Sequence, residues 1–270
     1  MSITIIMSYY NRKSILFNTL KSMSSYMKYD EDIEILIIDD ASYEDITEFK
    51  DIFDLNIKII KIDKDKKHWM NPCIPYNIGF NQITNDVIII QNPECIHMGN
   101  IIESVKKNIE GNTYLTYACY SVDKNLTELI NNVDKEENYV ENIKNVIEPY
   151  NNISCDNRTN GWYNHSIYRR SMLHFCSAIT RSDLYDLGGF DERYANGLAW
   201  DDNEFLERIH KKGMNIKIID NPSVIHQCHV DAYIDKTVPY EITQVNYRLY
   251  NQVTKRTNEY DVKKYNQYYK

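Results

Sequence analysis

The sequence predicts an α/β protein, one domain built on a mixed, mostly parallel sheet flanked by helices. Three observations carry that prediction. Strand-length apolar runs alternate with segments whose apolar residues recur at helical spacing through the N-terminal part of the chain. The run Val87-Ile88-Ile89-Ile90 is apolar on both faces, as a central parallel strand requires. The chain's 270 residues, 43% hydrophobic and 26% charged, suffice to bury one large core.

Residues 3–8 form the first apolar run, and a helix follows over 12–27 with Ile15, Leu16, Leu20, Met23 and Met27 on one face. A second strand covers 33–38, after which Ile46, Phe49, Ile52 and Phe53 mark a shorter helix. The third strand covers 57–62. A helix over 73–83 is entered through Asn71-Pro72, with Pro75 tolerated in its first turn. The fourth strand at 87–90 leads to a helix over 101–109. Such a succession builds right-handed crossovers, and ligands bind outside the carboxyl ends of the strands. The rhythm breaks over 123–165, a polar stretch rich in Asn and Glu. It is predicted as an irregular excursion, partly helical around 138–147, that covers one side of the sheet. Order returns with a strand at 175–179, a helix from Ser182, a turn at Gly188-Gly189, a helix over 202–211 and a strand at 216–219. Residues 1–235 are assigned to the main domain, and 236–270 to a C-terminal helix and a frayed tail rich in Tyr and Lys.

The totals exclude several classes. A net charge of −8 argues against a phosphate backbone as main partner, so no nucleic acid is expected. No apolar run approaches the roughly 20 residues of a membrane span. The N-terminus lacks a basic region followed by an apolar stretch and a small-residue cleavage site, so a soluble, cytoplasmic protein is expected. Cys73, Cys95, Cys119, Cys155, Cys176 and Cys228 are scattered without a CxxC pair and read as reduced thiols in or near the core.

Four clusters fall where strands end. Ser8-Tyr9-Tyr10-Asn11-Arg12 closes the first strand and opens a helix, where backbone N–H groups and an aromatic ring can cradle a base and a phosphate, or simply cap the helix. Asp39-Asp40-Ala41-Ser42 offers two carboxylates to a base or ribose hydroxyl, although Asp40 serves equally as a helix cap. Asn92-Pro93-Glu94 sets an amide and a carboxylate two apart, hard oxygens suited to Mg²⁺ or Mn²⁺, or to an ordinary polar turn. Gly188-Gly189-Phe190-Asp191-Glu192 and then Trp200-Asp201-Asp202 place carboxylates at a helix start, where they suit the helix dipole or act as a general base. The Trp200 ring offers a stacking platform for a sugar. His97 beside Glu94, and His226-Gln227-Cys228-His229, gather borderline metal ligands, but their spacing fits no standard zinc finger.

In this order the clusters resemble the motifs of family 2 glycosyltransferases of the GT-A fold. The opening runs 5–12 and 37–45 carry the resemblance, and Asn77-Ile78-Gly79 fits the next signature. Residues 188–192 and 200–202 resemble the acceptor-side segment of beta-1,4-galactosyltransferases and chondroitin-polymerase-like enzymes. The resemblance implies an inverting enzyme that moves a hexose-type sugar from a nucleotide-sugar, a UDP-sugar by preference, to a hydroxyl of a glycan or protein. It implies that Asp39 and Asp40 bind base and ribose, with Ser8, Tyr9, Tyr10, Asn11, Arg12 and Asn77 completing the nucleotide site. Asp202 is then the general base, with Asp201, Trp200 and Gly189 on the acceptor side. Asn92-Pro93-Glu94 stands where the family has Asp-x-Asp, with His226 or His229 completing a Mn²⁺ or Mg²⁺ site. Asn92 removes one negative charge there, and Lys64, Lys66, Lys67, Arg169 or Arg170 are alternative partners for the phosphates. Two other classes compete. One is a catalytically silent relative that binds a nucleotide-sugar or glycan, opposed by the presence of both Asp201 and Asp202. The other is a nucleotidyltransferase, opposed by the lack of glycine in residues 8–13.

Overall fold

The computed structural model describes residues 1–150, 161–229, 240–256 and 259–270. Cys155 and the domain boundary assigned at 235 lie outside the described residues. The parallel half comes first: β1 (Ile3–Tyr9), α1 (Lys13–Ser24), β2 (Ile33–Asp39), α2 (Phe49–Ile52), β3 (Ile57–Lys61), α3 (Cys73–Phe80) and β4 (Val87–Gln91). Then follow β5 (Cys95–His97), α4 (Ile101–Asn108), β6 (Thr113–Ser121), α5 (Lys124–Asn131), α6 (Tyr139–Ile147) and β7 (Trp162–Asn164). The chain closes with β8 (Cys176–Thr180), α7 (Arg181–Leu187), α8 (Asp201–Lys211), β9 (Asn215–His226) and α9 (Tyr240–Arg256).

One mixed sheet runs in the order β3-β2-β1-β4-β8-β6-β9-β5, with β7 alongside β6. The β3-β2-β1-β4 part is parallel, and most of the paired residues in the whole sheet are in parallel register. β8 reverses direction between β4 and β6, and β5 lies antiparallel on β9. Helices cover both faces, so the predicted class holds. Period-two alternation divides the strands between two cores. Ile3, Ile5, Met7 and Tyr9 face one core with α1, while Ile6, Leu36 and Ile38 face another with α3, α7 and α8. Each such side chain taken fully out of water contributes about 1.5–3 kcal/mol.

Three strands escaped the sequence pattern. β6 mixes Thr and Ser with Tyr, Leu, Ala and Cys and shows neither an unbroken apolar run nor a clean alternation, yet it is buried almost throughout, because β8 and β9 flank it and both faces are covered. β5 and β7 are too short to show a period. β9 extends well past the predicted 216–219 and carries the chain to His226. The 123–165 excursion is more regular than expected. α5 is capped by Asp123, which accepts from the Leu126 amide at 2.8 Å, and with α6 it forms a small third core over Ile96 and Ile225. Nor does the C-terminus fray: Asn266 donates to the carbonyls of Gly188 (2.7 Å) and Phe190 (2.8 Å), and Tyr269 is buried. Cys73, Cys95, Cys119 and Cys176 are buried free thiols, and Cys228 is half-buried. Among the described residues no helix is long and apolar enough to cross a membrane.

Candidate active site

The carboxyl ends of β1, β2 and β4 bring their loops together, as the topology requires. Asn11 takes a left-handed backbone (φ 46°), which aims its N–H at Ser42 Oγ (3.1 Å) while its side-chain oxygen accepts from the Tyr43 amide (3.0 Å). The loops after β1 and β2 are thereby latched. Arg12, at the start of α1, crosses to the third loop and donates to Glu94 Oε2 at 3.2 Å. Beside this latch lies a cleft of about 710 Å³ lined by Tyr10, Asn11, Arg12, Tyr43, Lys124 and His229.

Asp39 and Asp40 are buried at the end of β2. Asp39 Oδ1 accepts from the Ser42 amide at 2.8 Å, which shapes the loop. Asp40 accepts from Trp69 Nε1 at 2.9 Å and pairs with Lys67 at 2.8 Å. The same Lys67 ammonium lies 3.9 Å from the centre of the Tyr10 ring. Burial raises the Asp40 pKa above the usual carboxylate value, although Lys67 and Trp69 oppose it. Lys67 is thus the proposed phosphate partner that the structure brings to the site. Lys66 pairs with Asp63, and Arg169 lies in a bridge with His165.

A cation site is assembled by register. Cys95 on β5 pairs with His226 on β9, so Glu94, one residue earlier, meets both histidines of the following segment. Glu94 Oε1 lies 3.3 Å from His226 Nε2 and 3.1 Å from His229 Nε2, and the three ligand atoms lie within 4.8 Å of one another. Ligands about 2.1 Å from a metal and at right angles stand about 3 Å apart, so the residues fit a divalent cation. Two imidazole nitrogens with one carboxylate suit a transition metal such as Mn²⁺ better than Mg²⁺, which prefers oxygen alone. Burial by itself would raise the Glu94 pKa, but the Arg12 charge and the two imidazoles outweigh it and hold the carboxyl well below its usual range. Asn92 is held by its backbone. Its amide donates to Phe175 O and its carbonyl accepts from the Cys95 amide, so it braces the loop through its backbone. His97 is turned into the core, where its Nε2 meets Gln91 Oε1 at 2.8 Å.

The second pair of carboxylates opens α8. Ala199 (φ 54°) and Trp200 (φ 68°) are both left-handed, which turns the chain sharply into the helix. Asp201 is buried, and its Oδ1 accepts from Asn71 Nδ2 at 2.8 Å. Asn71 is itself fixed at the entry to α3, where it accepts from the Cys73 amide at 2.8 Å. Asp202 is half-buried and accepts from the Asn203 amide at 2.7 Å. Burial and then the neighbouring Asp201 charge push its pKa up to about 7. Charges of both carboxylate centres reach Tyr76, which is buried in α3. Burial raises the pKa of that phenol first, and the charges of Glu94 and Asp201 both add to it.

Three predicted contact residues belong to the scaffold instead. Tyr9 is fully buried in the core beneath β1 and donates to Glu44 at 2.6 Å, so it lines no cleft. Its alternation with Ile3, Ile5 and Met7 already placed it on the core face. Asn77 is likewise enclosed, donating to Phe190 O (2.8 Å) and Glu192 (2.9 Å) and accepting from the Phe190 amide (2.8 Å). Gly189 has φ 68°, and a Cβ there would come within 2.6 Å of Asn77 Oδ1 and of the Tyr269 ring. Only glycine fits, and an acceptor cannot reach it. Ser8 remains a strand residue opposite Ile38.

Sequence reasoning missed what holds the 188–202 segment. Glu204 and Arg208 form a fully buried pair at 2.7 Å, and the guanidinium also donates to the carbonyls of Leu187 (2.7 Å) and Gly189 (2.8 Å). From sequence the two are an ordinary helical acid–base pair four apart, which is usually a surface feature. Glu192 accepts from the backbone amides of Gln267, Tyr268 and Tyr269, which ties the C-terminus to the same turn.

A mixed sheet in this order, with carboxylates at its strand ends, is an α/β sheet that receives its ligand at the carboxyl edge. Comparison with known proteins sharpens the class. Residues 2–233 match the family described as glycosyltransferase like family 2, and the chain belongs to that family. Its fold is that of S. aureus TarS residues 1–349 in complex with UDP-GlcNAc, at a TM-score of 0.61 and 11% identity over 91% of this chain and 64% of that one. Full TarS aligns at 0.57 and 12% identity, over 86% of this chain but 37% of its own length. The chain therefore spans less than two thirds of these relatives. The mannosyltransferase PcManGT from Pyrobaculum calidifontis, in complex with GDP-Man and Mn²⁺, aligns at 0.51 and 14% identity over 95% of this chain and 70% of its own. No curated protein matches the sequence.

Proposed function

We propose that the protein is an inverting glycosyltransferase that moves a hexose-type sugar from a UDP-sugar to a hydroxyl of a glycan or protein. The observation that carries this function is the Glu94–His226–His229 cluster at the edge of the cleft bounded by Asn11 and Arg12, in a chain of a glycosyltransferase family. TarS in complex with UDP-GlcNAc and PcManGT in complex with GDP-Man support a nucleotide-sugar donor, and the choice of UDP rests on the family resemblance. PcManGT in complex with Mn²⁺ supports the metal.

Each residue then has a task. Tyr10, Asn11 and the Asp39–Asp40 pair receive base and ribose, and Arg12 and Lys67 stand ready for phosphate oxygens. Glu94, His226 and His229 hold the cation, which when bound offsets the charge that develops on the leaving diphosphate. Residues 188–202 are taken as an acceptor-side segment of the kind in beta-1,4-galactosyltransferases and chondroitin-polymerase-like enzymes. Asp202, with a pKa near the working pH, takes the proton of the attacking hydroxyl. The acceptor oxygen bonds to C1 as the bond from C1 to the diphosphate oxygen breaks. The electron pair leaves with the nucleoside diphosphate, and displacement from the opposite face inverts the anomeric centre. Asp201, fixed by Asn71, holds the acceptor in line.

The test is a turnover screen of nucleotide-sugars with purified protein, read as nucleoside-diphosphate release with Mn²⁺, with Mg²⁺ and with chelator. Release from a UDP-sugar that Mn²⁺ supports best, and that chelator stops, is the expected result. Tight UDP binding without release from any donor would favour a catalytically silent relative.

A further inference from the structure

α9 lies beyond the residues 2–233 that match the family, yet it is part of the acceptor side of the site. Asn246 is fully buried and donates to Tyr194 O (3.0 Å) and Ala199 O (2.8 Å), which clamps the loop leading into Trp200. That clamp sustains two consecutive left-handed residues, a conformation that a bulky side chain rarely adopts. The outcome is a group of three rings: the Trp200 ring centre is 4.9 Å from Tyr247 and 4.9 Å from Tyr250. Tyr250 is anchored by its hydroxyl to Glu207 at 3.2 Å, whereas Tyr247 is 42% exposed and its ring is open to solvent. The Asp202 charge reaches this group, since it helps push the Tyr250 pKa up to about 12 after burial and Glu207.

We propose that Tyr247 and Trp200 form an acceptor subsite on which a pyranose ring lies flat, with its hydroxyls directed to Asp202 and Glu207. The subsite rests on the assignment of Asp202 as the base. The nucleophilic hydroxyl must reach that carboxylate, so the ring that carries it has to lie beside the start of α8, and Trp200, two residues before Asp202, brings the aromatic group there. A sugar offers an apolar C–H face to an aromatic ring and hydroxyl donors to carboxylates, and both partners are present. A Lys-rich peptide would use the same rings and charges differently, through cation–π contact, and its binding is the competing outcome.

The experiment is saturation-transfer NMR at saturating UDP, with methyl β-glucoside, methyl β-galactoside, lactose, cellobiose and chitobiose as probes and a tetralysine peptide as the competitor. On wild-type protein, transfer to ring C–H protons of at least one sugar is expected. Tyr247→Phe keeps it, and Tyr247→Ala weakens affinity about 3- to 10-fold, the scale of one stacked ring. UDP affinity stays unchanged in both variants, which a merely structural role for Tyr247 would not predict. Sugar binding unaffected by Tyr247→Ala, transfer to none of the sugars, or transfer to tetralysine in their place would overturn the subsite. Donor hydrolysis without acceptor reports separately on the transferase function, so sugar binding that depends on Tyr247 with no hydrolysis would count against that function and leave a sugar-binding site in place of an acceptor subsite.

Discussion

Glu94, in the turn after β4, and Asp202, at the start of α8, are two carboxylates whose environments move them in opposite directions. Glu94 is enclosed by Arg12, His226 and His229 and stays ionised far below the usual carboxylate pKa. Asp202 has Asp201 as its neighbour and no cation paired with it among the described residues, and its pKa is pushed up to about 7. Burial penalises the charged form in both, so the difference comes entirely from the sign of the neighbouring charges. A permanently ionised carboxylate between imidazoles is suited to a metal ion. One that exchanges its proton near neutral pH is suited to proton transfer. The sequence motifs alone, Pro93-Glu94 and Trp200-Asp201-Asp202, do not distinguish these two uses.

The sharpest way to break the comparison is to remove one function at a time. Asp202→Asn is expected to lower transfer roughly 10³-fold, the range of general-base catalysis, while UDP affinity stays within about twofold. Loss of UDP binding in that variant would show that Asp202 belongs to the donor side and is not the base. Glu94→Gln should do the converse. It leaves Arg12 without its partner and takes away the one anionic ligand of the cluster. A fall of about 100-fold in turnover is expected, together with a much higher Mn²⁺ concentration for half-maximal rate. A variant whose Mn²⁺ dependence matches the wild type would mean that the cation, if needed at all, binds elsewhere.

Much of the polar grouping at the ends of β1, β2 and β4 was legible in the sequence, and the physical reason is locality. In β1, β2 and β4 an apolar run ends abruptly in polar residues, which marks both the strand and its functional end. Asp39, Asp40 and Glu94 all follow from that signal. The rest of the site depends on contacts far apart in the chain. His226 and His229 reach Glu94 through the register of β9 on β5, and neither the three-residue β5 nor the far end of β9 has a readable period. Asn246, Glu192 and Asn266 carry the supports of the 188–202 segment, yet each is a polar residue in a polar stretch, where nothing local shows that it is buried. Asn77 and Gly189 were found for the right positions but the wrong reason. Family-like motifs mark them equally well whether they touch substrate or hold the segment that does.

The smallest predicted effect tests the raised pKa directly, without any assay of turnover. The folded-state pKa of Asp202 lies above its ordinary value of 3.8, so the fold favours the protonated form. Stability from this group is fully present below the unfolded-state pKa and is lost as pH rises towards about 7. Asp202→Asn keeps an oxygen for the Asn203 amide but carries no charge, so it escapes that loss. The variant and the wild type should therefore melt within error of each other near pH 4. The variant should then gain a few degrees in Tm as pH rises to neutrality, with a plateau above it. Differential scanning calorimetry across that window provides the check. A Tm difference that is flat with pH would mean that Asp202 titrates as an ordinary exposed carboxylate. The contrast with Glu94 would then rest on the metal cluster alone.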